Sequence, residues 1–508
     1  MENATIKKPV LRTLFNGLVI LSLAGLLIGL FAYGYMGSFI RIVGDDYCYG
    51  GVLNKYGFFN AQIQAYANKM PFHGNRYTLN FISMFLSLFP PVINGYIPFL
   101  TIIYFGFAIY YLLSRITIRI NLSAPKVFLL ILSLLIVFFS ILTAPTVKQS
   151  LYFRSAMLPS FLPIISSLIL MALILHVDTH RWYFGLLVFV FSFLNAGLSE
   201  NGASFQGVLM GILVICGFWM TNKNIENGKT TTYLSLTAII ATIIAGIAMW
   251  LSPSIAEVQE QMNLSIVGTL SLSFRHTVDF FLGTIRSQIL VAGILIFAGL
   301  IVFMLCNVNK RFVKTFFSIK TRSWLLATLL HQIISFLLIF SIMVPSAFTR
   351  NVYPDPRHLI GGSLVMVMNL LISGFFLGGL FCLGLNYFRI QIKPELLLIF
   401  SFLLLLISLA YPVRYFPQIT KDRILFQYWS IQWNQRHQEI IEAAAAGYTE
   451  VHVMELDHII EEVGELGPDP NINWYNQCAA QYYGLTIFAD QSGWEEEFVI
   501  FQQKITGE

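Results

Sequence analysis

The sequence predicts an all-α polytopic membrane protein with a small α/β domain at its C-terminal end. Of its 508 residues, 56% are hydrophobic and 11% are charged, whereas about a quarter of the residues of a soluble domain are charged. Apolar stretches of about 20 residues recur along the chain, and a helix of that length crosses roughly 30 Å of bilayer hydrocarbon. These two observations exclude a soluble protein. A third, the change to an acidic composition near residue 412, predicts the separate C-terminal domain.

The first apolar run extends over about residues 13–36, after the basic residues Lys7, Lys8 and Arg12. It is longer than a signal-peptide core of roughly 7–15 residues and has no convincing cleavage site, so we predict an uncleaved first span with a cytoplasmic N-terminus. Ten further spans complete a membrane domain of residues 1–411. They are predicted at about residues 92–114, 127–144, 158–176, 183–197, 204–221, 231–251, 287–306, 325–344, 359–385 and 395–411.

Residues 77–89 form a shorter apolar segment that stops at Pro90 and Pro91. About 13 apolar positions suit an interfacial helix better than a full crossing. If this segment did cross the membrane, the orientation of every later span would be reversed. We therefore predict about eleven transmembrane helices and a C-terminus on the side opposite the N-terminus.

The distribution of positive charge supports this orientation. The predicted inner segments hold 16 Lys and Arg in 67 residues, against 10 in the 123 residues of the outer loops that precede the C-terminal domain. Cytoplasmic loops of membrane proteins carry such an excess. The basic stretch 309–322 contributes five of these residues. The inner segments are residues 1–13, 115–126, 177–182, 222–230, 307–324 and 386–394.

The same orientation places most of the polar motifs on the outer face of the membrane. The long first outer loop, residues 37–91, contains the adjacent acidic residues Asp45 and Asp46. Further polar motifs, at 73–76, 198–202 and 349–358, fall on that face as well, while the inner loops mainly carry anchoring positive charge. We therefore expect an outward-facing cleft built from loops over a helical bundle.

Residues 412–508 hold 15 acidic and 5 basic residues, whereas the preceding part holds 11 acidic and 26 basic residues. The stretch "WSIQWNQRHQEIIEAAAAGYTEVHVMEL" predicts a helix that ends at Gly447 and then an alternating strand at 450–456. "NWYNQCAAQYYGL" predicts a second helix or turn with an aromatic face. We therefore predict a small acidic extracytoplasmic α/β domain.

The five cysteines fall into two groups. Cys216, Cys306 and Cys382 lie in predicted spans and are expected to be packing residues. Cys48 and Cys478 lie on the predicted outer face, where a disulfide would join the C-terminal domain to the first loop in an oxidising compartment. Sequence does not show whether these two residues are close in space, so the pairing is left open.

Asp45 and Asp46 are the first candidates for chemistry. The ordinary interpretation of such a pair is a solvated loop or a cap for the following helix. Close to the membrane and beside Tyr47 and Tyr49, a carboxylate can instead serve as a general base or bind a divalent metal. Because adjacent side chains rarely point the same way, we expect at most one of the two to be catalytic.

Arginine and histidine residues near the outer ends of spans are candidates for phosphate binding, since the guanidinium group matches phosphate geometry. The alternatives are a snorkelling arginine for Arg76 in "HGNRY" and an ordinary basic surface loop for "TRNVYPDPRHL". Arg154 begins a helix, whose N-terminus also favours an anion. The candidate substrate- or phosphate-binding residues are His73, Arg76, Arg154, Asn201, Arg350, Arg357 and His358.

Glu200, with Asn201 beside it, lies between two closely linked spans in "NAGLSENGAS". A glutamate at membrane depth is costly unless it faces a polar cavity, so Glu200 is a further catalytic candidate. The sequence has no Walker motif, no dinucleotide fingerprint, no H-E-x-x-H and no CxxC pair. ATP hydrolysis, nucleotide binding and zinc proteolysis therefore lack support, and no nucleic-acid partner is expected.

Four motifs give the chain a resemblance to a known superfamily. They are "DDYC" at 45–48, the Asn75-Arg76 pair that opens the interfacial segment, "ENG" at 200–202 and "WYNQCAAQYYG" at 474–484. In this order they resemble GT-C-type membrane glycosyltransferases, which use polyprenyl-phosphate sugars, and a bacterial branch of that superfamily in particular. Each motif is short, so the resemblance depends on their order and their shared side of the membrane.

The resemblance implies a bacterial plasma-membrane enzyme that transfers a sugar from a polyprenyl-phosphate donor to a glycan, lipid or protein acceptor, with inversion at the anomeric carbon. It implies that Asp45 or Asp46 is the base or a metal ligand, and Asp45 is favoured as the base. No cofactor is certain. A divalent cation, Mg²⁺ or Mn²⁺, is left open, because relatives use one and the sequence has no clear third ligand.

Two alternatives of other classes remain open at this point. The same charges would line the translocation path of a lipid-linked glycan flippase or transporter, and a non-catalytic membrane scaffold would also carry an exported interaction domain. Transporters often have broken helices near the bilayer midplane, whereas the polar residues here cluster at outer loop ends. Asparagine substitution of either aspartate distinguishes an enzyme from a scaffold.

Overall fold

The structure, a computed structural model, describes residues 8–120, 122, 124–178, 181–260, 265–306, 321–387, 394–460, 463–491 and 494–506. Lys7 and most of the basic stretch 309–322, which the orientation places in the cytoplasm, lie outside these residues. Two kinds of structure make up the described chain: a bundle of helices and a small mixed C-terminal unit.

Helices form most of the described residues up to residue 419. In chain order they are α1 (Lys8–Gly37), α2 (Asp45–Tyr56), α3 (Phe58–Ala67), α4 (Tyr77–Leu86), α5 (Ile97–Arg119), α6 (Lys126–Leu142), α7 (Arg154–Ser160), α8 (Leu162–His176), α9 (Trp182–Ala196), α10 (Glu200–Asn222), α11 (Gly228–Trp250), α12 (Ala256–Glu260), α13 (Ile266–Ser287), α14 (Ile289–Cys306), α15 (Thr321–Arg350), α16 (Ile360–Tyr387) and α17 (Pro394–Ile419). Short 3-10 helices precede α5, α12 and α16, and one π-helical turn precedes α7.

Nine segments within the described ranges are long and apolar enough to cross a membrane. They are Thr13–Gly37, Pro91–Arg119, Arg154–His176, Glu200–Asn222, Gly228–Trp250, Ile289–Cys306, Arg322–Arg350, Pro356–Gly384 and Leu398–Ile419. Each coincides with a predicted span. The chain is therefore a helical membrane protein with several spans, as predicted.

The two remaining predicted spans, 127–144 and 183–197, correspond to α6 and α9. Both helices are apolar, but they have only 17 and 15 residues. A 17-residue helix extends about 26 Å, slightly less than the hydrocarbon thickness. The total of eleven spans therefore stays a prediction.

Two other helices bear on the predicted topology. The short segment 77–89 contains α4, whose ten residues extend about 15 Å and are too short to cross the bilayer. Residues 252–286, predicted as an outer loop, contain the 22-residue helix α13. Arg275 and Asp279 interrupt its apolar residues, so this helix has no uninterrupted apolar run of the kind that marks a span.

The C-terminal unit contains α18 (Arg423–Ala445), β1 (Glu450–Met454), α19 (Trp474–Tyr483), β2 (Thr486–Gln491) and α20 (Trp494–Thr506). β1 and β2 form a two-stranded parallel sheet in which Val451 is opposite Ile487. Gly447 and Gly484 follow α18 and α19 with φ angles of +80° and +85°, the usual conformation after a helix end. The predicted helix, strand and second helix are all present, although the last span continues to Ile419 rather than ending at 411.

The C-terminal domain packs against the first loop. Trp433 of α18 is buried and donates from Nε1 to the carbonyl oxygen of Ile42 at 3.0 Å and to the hydroxyl of Tyr47 at 3.2 Å. A disulfide joins Cys48 of α2 to Cys478 of α19. The pairing that the sequence left open is therefore made, and it ties the domain to the helix that begins with the two aspartates.

Candidate active site

Asp46 is buried in an ion pair at the start of α2. Its side chain is 1% exposed, and Oδ1 accepts hydrogen bonds from Arg154 Nε at 3.1 Å and from the Ser155 hydroxyl. Arg154 also donates to Asn94 Oδ1 at 3.0 Å and to Ser87 Oγ at 3.4 Å. These contacts hold the first loop on the bundle. They disfavour the predicted catalytic role of Asp46 and the predicted phosphate-binding role of Arg154.

A glycine turn precedes α2, and the geometry of this helix separates the side chains of the two aspartates. Gly44 has a φ angle of +53°, and a Cβ at this position would lie 3.1 Å from Val463 Cγ1 of the C-terminal domain. A glycine is therefore favoured both by conformation and by space. Successive residues of the helix that follows are rotated by about 100°, so that Asp45 and Asp46 point in different directions.

Asp45 lies half-buried in the first turn of α2. Burial raises its pKa to about 6, although the guanidinium groups of Arg357 and Arg76 oppose the shift and Asp46 adds to it. Within the described residues, no side chain forms a hydrogen bond or ion pair with the Asp45 carboxylate. A partly desolvated carboxylate that titrates near neutral pH has the properties of a general base.

Arg76 and Glu200 form a second ion pair. Nε and Nη2 of Arg76 both lie 2.8 Å from Glu200 Oε2, and Asn75 Nδ2 donates to Oε1 at 2.8 Å. Glu200 is the first residue of α10, where the helix dipole favours a carboxylate, and Ser199 caps the same helix by accepting from the Gly202 amide. Both oxygens of Glu200 are thus engaged, which favours a positioning role for Glu200 over the predicted catalytic role.

His73 lies in the loop that precedes Arg76. The positive charge of Arg76, together with burial, lowers the pKa of His73 to about 4, so the imidazole is neutral at physiological pH. Its Nε2 lies 3.4 Å from Nη2 of Arg350, an exposed residue at the end of α15. Arg350 and Arg357 also lower the pKa of His73. Three guanidinium groups therefore converge on this loop.

Arg357 and His358 belong to the 3-10 helix that precedes α16. Arg357 is half-buried and donates to Asp355 at 2.9 Å, while its carbonyl oxygen accepts from Ser150 at 3.2 Å. His358 Nδ1 is 2.7 Å from the hydroxyl of Ser160 in α7. These bonds fix the turn against α7 and leave the Arg357 guanidinium close to Asp45.

The predicted residues thus separate into two groups. One group gathers at a single end of the bundle, as the electrostatic contacts of Asp45 and His73 show. Its members are Asp45, His73, Arg76, Glu200, Arg350, Arg357 and His358. The other group is the buried pair Asp46 and Arg154. Asn201 is half-buried beside Glu200, but its position on the helix is rotated by about 100° from that of Glu200.

We refer to Arg76, Arg350 and Arg357 as the arginine cluster. Among the carboxylates near it, Glu200 is paired with Arg76 and Asp355 with Arg357. With Asp45 ionised, the three carboxylates therefore balance the three guanidinium groups. Protonation of Asp45 leaves one positive charge in excess, which favours a more negatively charged anion at the cluster.

The C-terminal domain contributes a side chain at the edge of this site. Burial, followed by the carboxylate of Asp45, raises the pKa of Tyr475, and Arg357 opposes the shift. The ring of Tyr475 lies beside that of Trp474, with 3.9 Å between centroids and 33° between the ring planes, and Trp474 is 36% exposed. The domain therefore borders the site and is not a remote appendage.

Sequence reasoning missed several residues of this arrangement. Ser155 donates to Oδ1 of Asp46, Asn94 accepts from Arg154, and Ser160 binds His358. Small polar residues of this kind are common at helix ends, so no sequence signal separated them from the rest. Asn75 was part of a quoted motif, but its role as a partner of Glu200 emerges only from the fold.

The residues do not fit a resident divalent cation on Asp45 and Asp46. Asp46 Oδ1 is paired with Arg154, and the positive charges of Arg357 and Arg76 act on Asp45. The described ranges contain no group of three or more His, Cys, Asp or Glu residues that could hold a metal ion.

Fold and site together define a class: a helical membrane protein with an arginine cluster and a carboxylate that no described side chain binds, bordered by a small disulfide-linked domain. No family model, no curated protein and no solved structure matches the chain. Similarity therefore assigns no family, and the geometry of the site is the basis for the proposed function.

Proposed function

We propose that the protein is a membrane glycosyltransferase of GT-C type that transfers a sugar from a polyprenyl-phosphate donor to a hydroxyl group of a glycan, lipid or protein. The observation that carries this proposal is Asp45, an unpaired carboxylate with a pKa of about 6 beside the arginine cluster. A base and a phosphate site are the two elements that such a transfer requires.

In the proposed reaction, the acceptor hydroxyl attacks the anomeric carbon from the side opposite the phosphate. Asp45 accepts the hydroxyl proton as the new carbon–oxygen bond forms. The bond between the anomeric carbon and the phosphate oxygen breaks, and its electron pair leaves with polyprenyl phosphate. One in-line displacement inverts the anomeric centre, and a positioned base contributes about 10²–10⁴ to such a rate.

The arginine cluster neutralises the negative charge that develops on the leaving phosphate. Arg76 is held by Glu200, whose other carboxylate oxygen accepts from Asn75. The Arg76 guanidinium is therefore preorganised, which is the condition under which electrostatic stabilisation is most effective. Arg350 is exposed and its Nη2 lies 3.4 Å from Nε2 of the neutral His73. Its position at the end of α15, a candidate span, suits the phosphate of a lipid in the bilayer.

The proposed function places the site outside the cytoplasm of a bacterial cell, in the plasma membrane, with the N-terminus inside and the C-terminal domain outside. The disulfide between Cys48 and Cys478 supports this placement, because disulfides persist in oxidising compartments and are rare in the cytosol. The excess of basic residues in the predicted inner loops supports the same orientation.

The test is turnover of synthetic phosphopolyprenyl sugars by the purified full-length protein in nanodiscs. Wild type and Asp45→Asn are compared for release of polyprenyl phosphate and for donor binding. We expect release by the wild type, a loss of about 10²–10⁴ in the variant, and donor binding by both. Asp355→Asn is the matched control, because it removes another carboxylate near the cluster without removing the base.

The outcomes separate the alternatives. Donor binding without release by either protein, combined with movement of the lipid-linked sugar across the bilayer, would favour a flippase. If the donor does not bind, and Asp45→Asn and Asp355→Asn both behave as the wild type does, the enzyme proposal is wrong and a scaffold is favoured.

A further inference from the structure

Two short helices of the first loop expose apolar stripes. On α3, Phe59 and Ile63 are 82% and 64% exposed, and Ala67 continues the same side. On α4, Phe81 and Phe85 are 50% and 45% exposed. Residues four positions apart lie on one side of a helix, so these residues form stripes and are not scattered single exposures. No described part of the chain covers them.

The two stripes belong to one surface. The rings of Phe58 and Phe81 lie 5.4 Å apart, and Gln62 Nε2 is 3.0 Å from Met84 Sδ, so that α3 and α4 are packed side by side. The stripe of α4 continues into the residues after its last turn. We call the whole set the α3–α4 surface; it comprises Phe59, Ile63, Phe81, Phe85, Leu88 and Phe89.

Hydrogen bonds place both helices at the level where spans end. The hydroxyl of Tyr66 in α3 donates to the carbonyl oxygen of Ala248 at 2.6 Å, near the end of the candidate span Gly228–Trp250. Arg76, immediately before α4, is paired with Glu200 at the start of another candidate span. The α3–α4 pair is therefore attached to the ends of two bilayer-spanning segments.

The same surface is continuous with a face that meets lipid. The exposed residues of α4 lead through the 3-10 helix into α5, where Leu100 and Ile103 are 60% and 53% exposed on a candidate span. Exposed Lys55 lies before α3, where a long basic side chain can reach anionic headgroups, while Lys69 after α3 is paired with Glu257. The apolar continuity with a candidate span indicates a bilayer surface as the partner.

We propose that α3 and α4 lie in the membrane plane, with the α3–α4 surface inserted into the lipid leaflet at the end of the bundle where the candidate site lies. The sequence predicted an interfacial position for α4 alone, and the exposed stripe of α3 extends it to a two-helix insertion. The loop between the helices, which carries His73 and Arg76, then lies at headgroup depth. This inference does not depend on the proposed reaction.

The experiment measures the depth of a fluorescent label in nanodiscs made with nitroxide-bearing lipids. Cys216, Cys306 and Cys382 are first replaced by alanine, and the Cys48–Cys478 disulfide is retained. An environment-sensitive label is attached to Ile63→Cys. The matched control is Ile472→Cys, because Ile472 is 82% exposed but belongs to the C-terminal domain.

We expect the label at position 63 to emit at shorter wavelength and to be quenched several-fold more strongly by lipid nitroxide than by aqueous iodide. The label at position 472 should show the opposite preference. Equal iodide quenching at both positions would overturn the proposal, and protection of position 63 from both quenchers would overturn it in favour of a second copy of the chain. Phe59→Cys supplies an independent reporter if the Ile63 variant does not fold.

Discussion

At the scale of single residues, the two adjacent aspartates have opposite environments. Asp46 is enclosed by Arg154 and Ser155, whereas Asp45 has no paired partner among the described side chains and a pKa raised to about 6. Breaking a buried ion pair leaves an uncompensated charge, which destabilises the folded protein. Removing an unpaired, partly buried carboxylate instead removes the free-energy cost of its desolvation. The two positions therefore respond differently to substitution.

The pH dependence of turnover follows from Asp45. A general base must be ionised, and the pKa of Asp45 is about 6, so the rate should rise between about pH 5 and pH 7 and level off above that. The measurement is kcat/KM for polyprenyl phosphate release by the wild type as a function of pH, because kcat/KM reports the pKa of the free protein. A rate that falls over this range would contradict the role of Asp45 as base.

The stability of the protein should depend on Asp45 in the opposite sense. The folded-state pKa of about 6 exceeds the ordinary value of 3.8, so the folded state retains a proton that the unfolded state releases, and stability falls as the pH rises between these values. Asp45→Asn should therefore melt at a higher temperature than wild type at pH 8. The difference should shrink as the pH falls and vanish only below the ordinary value of 3.8, which a thermal unfolding series checks.

Substitution of Asp46 should mainly lower the stability of the protein. Asp46→Ala leaves the buried Arg154 guanidinium without its carboxylate, and we expect a loss of about 3–5 kcal/mol in the free energy of unfolding. The control is Asp178→Ala, since Asp178 pairs with Arg119 at 3.0 Å but is 70% exposed; a surface pair contributes about 0–1 kcal/mol. Equal losses in thermal unfolding would contradict a structural role for Asp46.

A substitution of Glu200 tests whether this residue positions Arg76 or serves as the base. Glu200→Gln weakens the charge pair that fixes Arg76, so the donor KM should rise while the pH midpoint set by Asp45 stays unchanged. Steady-state kinetics over a pH series measure both quantities. A shifted pH midpoint with an unchanged donor KM would instead assign the base to Glu200.

At the scale of elements, α2 is held from two sides. Arg154 of the bundle binds Asp46 in the first turn of α2. From the C-terminal domain, Trp433 donates a hydrogen bond to Tyr47, and Cys478 forms the disulfide with Cys48. Because the first turn carries Asp45, both contacts determine where the carboxylate lies. The C-terminal domain is thus a structural part of the site.

Removal of the disulfide tests this contact. Replacing both Cys48 and Cys478 by serine should cost about 2–5 kcal/mol in stability and lower turnover, because α2 loses its attachment to α19. Cys216→Ser, at an exposed free cysteine, is the control and should change neither quantity. Unchanged turnover in the double variant would show that packing alone positions Asp45.

At the scale of the whole molecule, the site is assembled from segments far apart in sequence. Arg76 and Glu200 are 124 residues apart, and Asp46 and Arg154 are 108 residues apart. The sequence identified most of these residues as candidates because charged side chains are rare near spans and costly there. It did not predict which charges pair with one another, because pairing depends on how the helices pack.

The sequence by itself determined the class of protein and the approximate positions of the nine candidate spans within the described residues, because crossing a bilayer is a local requirement on apolar length that each segment meets alone. It also predicted α18, β1 and α19 of the C-terminal domain through a glycine helix end and strand alternation, but not β2 or α20. Only the tertiary structure decided that Asp45 is free while Asp46 is paired, that Glu200 holds Arg76, and that Cys48 meets Cys478. These are distances between remote residues, and packing of the whole chain sets them.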